Sequence, residues 1–309
     1  MTLTPVTVRV RAGVRPALAD VVEEFKSCRT AWGKLPRFSV TRLPAAEAAA
    51  VRAQRRRFFA ELRQGGLLLD SIDQVAAAGI RAELEARGWW DRSWRTVPET
   101  GKLKGRWPAT GRGDAFPEAV PMRLPSPLAR KVHAACWHTS APAIARLRSW
   151  EEPAEVERRQ RQDLDDAAEY QRLAASVTTV GDVCRAGLDR GIALGQALAP
   201  EAWALVAAAH VAERTPGQLH TSRTVEKVPL DSPWTKAVRL APHLAAWRDA
   251  HHAGTLDPRL HRHLDRLGMD WNAEKGSQPQ GDDEIPQEPG QEPSPNGQGE
   301  GDPGPPPGQ

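Results

Sequence analysis

Residues 239–271 mark both ends of two helices in their own residue types, and this narrows the fold more than any other stretch of the chain. Pro242 suits the first turn of one helix and Gly254 its end. Asp257-Pro258 then supplies an N-cap followed by proline at the first helical position, and Gly268 suits a left-handed stop. Leu244 and Trp247 share one face of the first helix, and Leu260, Leu264 and Leu267 recur at i, i+4 and i+7 on the second. The outer faces are expected to carry Arg248, His251, His252, Arg259, His261, Arg262, His263 and Arg266. An apolar seam backed by a basic, histidine-rich face suits a polyanion partner.

The helical period recurs upstream. Pro16–Lys26 places Leu18, Val21, Val22 and Phe25 on one face, residues 44–64 turn Val51, Phe58 and Leu62 inward, and Ser71–Arg87 does so with Val75, Ile80 and Leu84. Further helices are expected at Val177–Gly195 and at the apolar Pro200–Arg214, and a charged, solvated one over Glu151–Ala175. Only Val6–Arg11 and Val120–Leu124 read as strands. The expected fold is therefore mainly α: a multi-helix body with one or two short strands, a C-terminal helical hairpin and a disordered tail. The segments are an N-terminal helical region at 1–118 and a central helical region at 119–214. A linker at 215–233, the hairpin at 234–272 and the tail at 273–309 follow. The tail's Pro, Gly, Gln and Glu composition cannot bury a core.

Charge is divided unevenly. The 309 residues carry a formal net charge of +3, yet after Trp271 there are eight acidic residues against Lys275 alone, which leaves residues 1–271 at +10. A basic body favours nucleic acid over an acidic partner protein. Cys28, Cys136 and Cys184 have neither disulfide-framework nor zinc-site spacing and fit a reducing compartment. No signal-peptide pattern is visible, and the longest apolar stretch, around Ala202–Val211, is about half a membrane span. A cytoplasmic location without membrane contact is expected.

Two segments invite a nucleic-acid reading. In residues 88–119, Trp89, Trp90, Trp94 and Trp107 alternate with Arg92, Arg95, Lys102, Lys104, Arg106 and Arg112. Such aromatics can stack nucleobases while the cations hold phosphates, or they can simply tie a long loop to the core. In residues 119–152, a short extended piece precedes Ser126-Pro127, a helix start, and Thr139-Ser140 with Pro142 reads as the start of a second helix. Strand, helix, turn, helix resembles a ribbon-helix-helix DNA-binding unit. That resemblance implies Met122 and Arg123 at base edges, Ser140 with its neighbours Lys131 and Thr139 at the backbone, and a homodimer to supply the partner strand. A core strand-helix-helix without a DNA role is the other reading. Val40–Pro44 echoes the strand and is also followed by a helix.

Catalytic constellations are missing: the chain has no phosphate-cradling P-loop, no nucleophile elbow and no H-E-x-x-H. No cofactor or metal is expected, because the dense histidines are mixed with arginines that repel a cation. Tyr170 is the only tyrosine and sits in an ordinary charged stretch.

The closing hairpin resembles the helicase-associated domain, a small helical module found as repeats in actinobacterial and plasmid-borne proteins. The matching features are Arg248, the Ala253-Gly254-Thr255-Leu256 step, Pro258 and the ending Leu267-Gly268-Met269-Asp270-Trp271. The family usually has tryptophan where His243 stands and Leu-Gly where Leu240-Ala241 stands. The resemblance covers about a tenth of the chain and implies contact with nucleic acid. The leading expectation is a non-enzymatic DNA-binding protein in replication, maintenance or regulation of a chromosome, plasmid or mobile element, with a replication or helicase protein as a further partner. Two others stand beside it: an adaptor using the tryptophan-rich loop and helical faces, and a terminal-protein or nicking-type enzyme using Tyr170 or a Ser or Thr hydroxyl.

Overall fold

A computed structural model of the protein describes residues 2–98, 116–149, 165–214, 225–227 and 237–272. In chain order the elements are β1 (Leu3–Val10), α1 (Val14–Gly33), α2 (Ala45–Gln64), α3 (Ile72–Ala86), β2 (Glu118–Pro125) and α4 (Ser126–Ser149). They continue with α5 (Asp165–Ser176), α6 (Val180–Arg214), β3 (Val225–Lys227), β4 (Ala237–Arg239), α7 (Leu240–His252) and α8 (Pro258–Arg266). A short 3-10 turn at Pro36–Phe38 joins α1 to α2. The fold is mainly α, as the periodicity requires. The tail at 273–309 lies outside the described residues, as do most of the expected linker and the central part of the tryptophan-rich loop.

α6 is the axis of the body. Ala202–Val211 is buried on every side, which is why this stretch has no polar face. By length and composition Val180–Glu213 is also long and apolar enough to cross a bilayer, but half of its most apolar eighteen-residue stretch is buried inside the protein. α1 brings Leu18, Val21, Phe25 and Trp32 into the same core, and α3 brings Val75, Ile80 and Leu84. Each such side chain contributes about 1.5–3 kcal/mol by leaving water. Two polar side chains at the core have partners: Trp203 Nε1 donates to Glu24 at 2.8 Å, and His210 Nε2 lies 3.2 Å from the Ala31 carbonyl.

β1 and β2 pair antiparallel within one chain, with Val6 opposite Met122 and Val8 opposite Val120. Their inner residues, including Val8, Val10, Val120, Met122 and Leu124, face the core. Prolines 5 and 121 are tolerated because both strands of a two-stranded ribbon are edge strands. The ribbon joins the expected N-terminal and central segments into one core, and residues 1–272 form one compact unit.

Three local expectations are corrected. The restart at Thr139-Ser140 does not occur: α4 runs unbroken through Pro142. The two helices expected over Val177–Arg214 are one, through Pro200. An internal proline costs a helix about 3 kcal/mol. Here burial on both sides of each proline offsets it, with Ser140, Ile144 and Leu147 around one and Ala199, Ala202 and Trp203 around the other. The echo at Val40–Pro44 is a turn in which Arg42 has φ 66°, not a strand. Within the expected linker, Val225–Lys227 pairs with Ala237–Arg239 as a small β-ribbon.

The closing hairpin has the predicted ends. Asp257 accepts from the Arg259 and Leu260 amides, Pro258 is the first helical residue, and Gly254 and Gly268 have φ of 67° and 77°. Its seam of Leu244, Trp247, Leu260, Leu264 and Leu267 is buried in the main core.

Candidate nucleic-acid interface

A cleft of about 830 Å³ opens between the segment 92–97, β1 and the first half of α4. Arg92, Arg95, Arg130, Lys131 and His133 line it together with Trp94, and no Asp or Glu does. Its wall is fixed from inside. Trp94 lies half-buried, edge-on to Trp89 and stacked with His138, and its indole donates to the Trp89 carbonyl at 3.4 Å. His138 Nε2 is 2.9 Å from the Arg95 carbonyl, which pins the loop to α4. Three of the expected site residues, Arg92, Arg95 and Lys131, thus meet from two distant parts of the sequence. Arg130 and His133 join them from the first half of α4, and nothing in their local sequence sets them apart.

The tryptophans themselves are taken. Arg92 lies over Trp94 at 5.1 Å, Arg87 over Trp89 at 5.1 Å, and both Arg81 and Lys131 over Trp90, at 4.6 and 5.0 Å. Of the two sequence readings of this loop, tying to the core describes Trp89, Trp90 and Trp94. Trp107, Lys102, Lys104, Arg106 and Arg112 lie outside the described residues. The cleft is therefore an electrostatic surface rather than a stack of open rings. Arg92, Arg95, Arg130 and Lys131 form no ion pair among the described residues.

The ribbon-helix-helix expectation is corrected. Met122 is 3% exposed and faces the core, away from any groove. Arg123 is exposed, but its amide and Nε both donate to Asp73, at 2.8 and 3.0 Å. Ser140 is fully buried, donating to the Thr178 carbonyl at 3.1 Å and accepting from the Thr178 amide at 2.9 Å, so it cannot hold a phosphate. Thr139 is exposed in mid-helix, where its amide is not a free terminal donor. The strand that a second copy was expected to supply is β1 of the same chain.

On the hairpin the expected cations are present but already engaged. Arg248 donates to the Asp270 carbonyl at 2.9 Å and closes the hairpin on itself. Arg259 donates to the Gln64 carbonyl at 3.2 Å, Arg262 to the Pro258 carbonyl at 3.2 Å, and Arg266 pairs with Glu61 at 2.9 Å. His251 and His261 lie 4.4 and 4.8 Å from the Trp271 ring, and Asp265 accepts from Trp271 Nε1 and faces His261 Nδ1 at 2.8 Å. His252 is exposed beside His251. His263 departs from the expected outer face: it is 8% exposed, packs 5.7 Å from Phe58, and burial beside Arg37 and Arg266 lowers its pKa to about 4.

Other chemistry finds no assembled site. Tyr170 packs against a small satellite core of Ile144, Leu147 and Val177. Cys136 and Cys184 are buried, and desolvation pushes both thiols up to about 12, away from nucleophilic character. Among the described residues no group of three or more His, Cys, Asp or Glu side chains could hold a metal ion. No protein-family model matches the chain, and no curated protein or solved structure is significantly similar to it.

Proposed function

We propose that this chain is a non-enzymatic nucleic-acid-binding protein that grips the phosphate backbone at the cleft beside Trp94. The observation that carries the reading is the convergence of Arg92, Arg95, Arg130, Lys131 and His133 on one concave surface with no acidic residue among its lining. A concave wall of one charge sign focuses the field and concentrates a polyanion there. Binding is backbone-directed and indifferent to base sequence, because the residues once expected at base edges are buried or paired to Asp73. The likeness of residues 239–271 to the helicase-associated domain is carried into this proposal, with a role in replication, maintenance or regulation of a chromosome, plasmid or mobile element.

Fluorescence polarisation with duplex and single-stranded DNA at two salt concentrations tests it. Four engaged cations predict a fall of affinity with a log–log salt slope of about −3 to −4. Arg92→Glu/Arg95→Glu should weaken binding at least tenfold while leaving the unfolding midpoint in place. Binding no stronger than that of an unrelated protein of the same net charge, or an unaffected double variant, defeats the reading.

A further inference from the structure

α2 meets the core along a narrow seam of Leu62, Phe58 and Phe59. Over its twenty residues only Ala48 and Leu62 are buried. Its exposed surface holds Arg52, Arg55, Arg56 and Arg57, none of which forms an ion pair among the described residues. Like charges three and four residues apart oppose a helix by a few tenths of a kcal/mol per pair. Phe58 and Phe59, packed against the core, hold the helix in place despite that repulsion, and a bound polyanion would relieve it.

Beside this helix lies a second cleft, about 690 Å³, between α2 and the end of α1. Arg29, Lys34, Arg55, Arg56 and Arg63 line it with Phe59, and no acidic residue does. Asp70 lies buried next to it, its side chain 2% exposed, and fixes two of the guanidiniums. Arg63 donates to both its oxygens, at 2.9 and 2.7 Å, and Arg29 donates to Oδ2 at 2.7 Å. Burial alone would raise the Asp70 pKa, but the hydrogen bonds and charges of Arg63 and Arg29 hold it below the ordinary carboxylate range. The Asp70 carboxylate thus orients two arginines, while Lys34, Arg55 and Arg56 around them form no ion pair among the described residues. Oriented guanidinium forks match the geometry of a phosphate, and the surplus charge matches a run of them.

The two clefts lie toward opposite ends of α6. Val180, its first residue, lines the cleft beside Trp94. His210, thirty residues on, contacts the Ala31 carbonyl, between Arg29 and Lys34 on the wall of the second. At about 1.5 Å per residue this is roughly 45 Å of helix. We infer that the α1–α2 cleft is a second phosphodiester site, so that one chain holds two segments of nucleic-acid backbone far apart. The choice of phosphodiester as ligand rests on the function proposed above.

The test is stoichiometry with a DNA hairpin whose stem of about eight base pairs is roughly 27 Å long, too short to reach both clefts. Native mass spectrometry at low salt should count two hairpins per chain for the wild type. Arg55→Gln/Arg56→Gln and Arg92→Gln/Arg95→Gln should each retain one, with unchanged unfolding midpoints. One hairpin per chain in the wild type, or two retained by the α2 variant, overturns the second site while leaving the first reading intact. No hairpin bound by the wild type overturns both.

Discussion

Gly79 of α3 lies against Gly191 of α6 so closely that a β-carbon on Gly79 would stand 2.4 Å from the Gly191 nitrogen and 2.0 Å from the Gly187 carbonyl oxygen. The reverse holds as well: a β-carbon on Gly191 would be 2.5 Å from the Val75 carbonyl oxygen, and one on Gly187 2.5 Å from Ile80 Cγ1. Gly187, Gly191 and Gly195 recur every four residues and form one stripe, with α3 over its first part and Val21 of α1 at Gly195. The obstructing atoms at Gly79 and Gly191 are mainly backbone, which cannot rotate aside.

Gly79→Ala and Gly191→Ala should therefore each destabilise the protein by about 3 kcal/mol or more, because the helices must separate to admit a methyl group. Gly33→Ala, where nothing lies within 4 Å, should be neutral or stabilising by up to about 1 kcal/mol. Urea unfolding of the three variants separates the cases; a mild effect at Gly79 would mean that the helix crossing is looser than described.

Ser140→Ala should cost about 1–2 kcal/mol, since it removes the buried hydroxyl that bonds both the amide and the carbonyl of the part-buried Thr178. The affinity of the folded protein for DNA should not change. Weakened binding at unaltered stability would instead place this hydroxyl at a phosphate.

His263 should make the protein acid-sensitive well above the carboxylate range. Its pKa is about 4 when folded, against 6.5 as the ordinary value, so the unfolded chain takes up the proton first. Its contribution is present in full above about pH 6.5 and is lost as pH falls toward 4, by roughly 3 kcal/mol in total. Unfolding midpoints at about pH 7 and pH 4.5 should converge in His263→Leu relative to wild type. Equal pH dependence in the two proteins would show that His263 titrates normally.

Arg130→Gln and Lys131→Gln should each reduce the salt slope of DNA binding by about one, and should do so alike for unrelated sequences. Unequal effects on different sequences would signal base readout at the cleft.

Much of the local structure was legible. The hairpin's stops came from Gly254, Asp257-Pro258 and Gly268, whose backbone preferences act within a few residues. The inward faces of α1 and α3 followed from period alone. Ser140 and Pro142 have a local preference for a helix start, but Ser140 is buried and hydrogen-bonded to Thr178, just before α6, and the helix continues through both. Likewise the tryptophans of 89–94 and the arginines of the hairpin carry the same residue types as an open interface; some of their partners, such as His138 for Trp94 and Gln64 for Arg259, come from far along the chain.

By itself the sequence determined the helical class, the ends of the closing hairpin and the basic charge of residues 1–271, because propensity, capping and charge are properties of short stretches. Tertiary structure alone decided that β2 pairs with β1 of the same chain and that three glycines of α6 admit a neighbouring helix. It also decided which cations stand free in the clefts beside Trp94 and along α2, and which are consumed by contacts such as Arg248 with Asp270. Those outcomes depend on atoms brought together across tens to hundreds of residues, a distance over which no local preference acts.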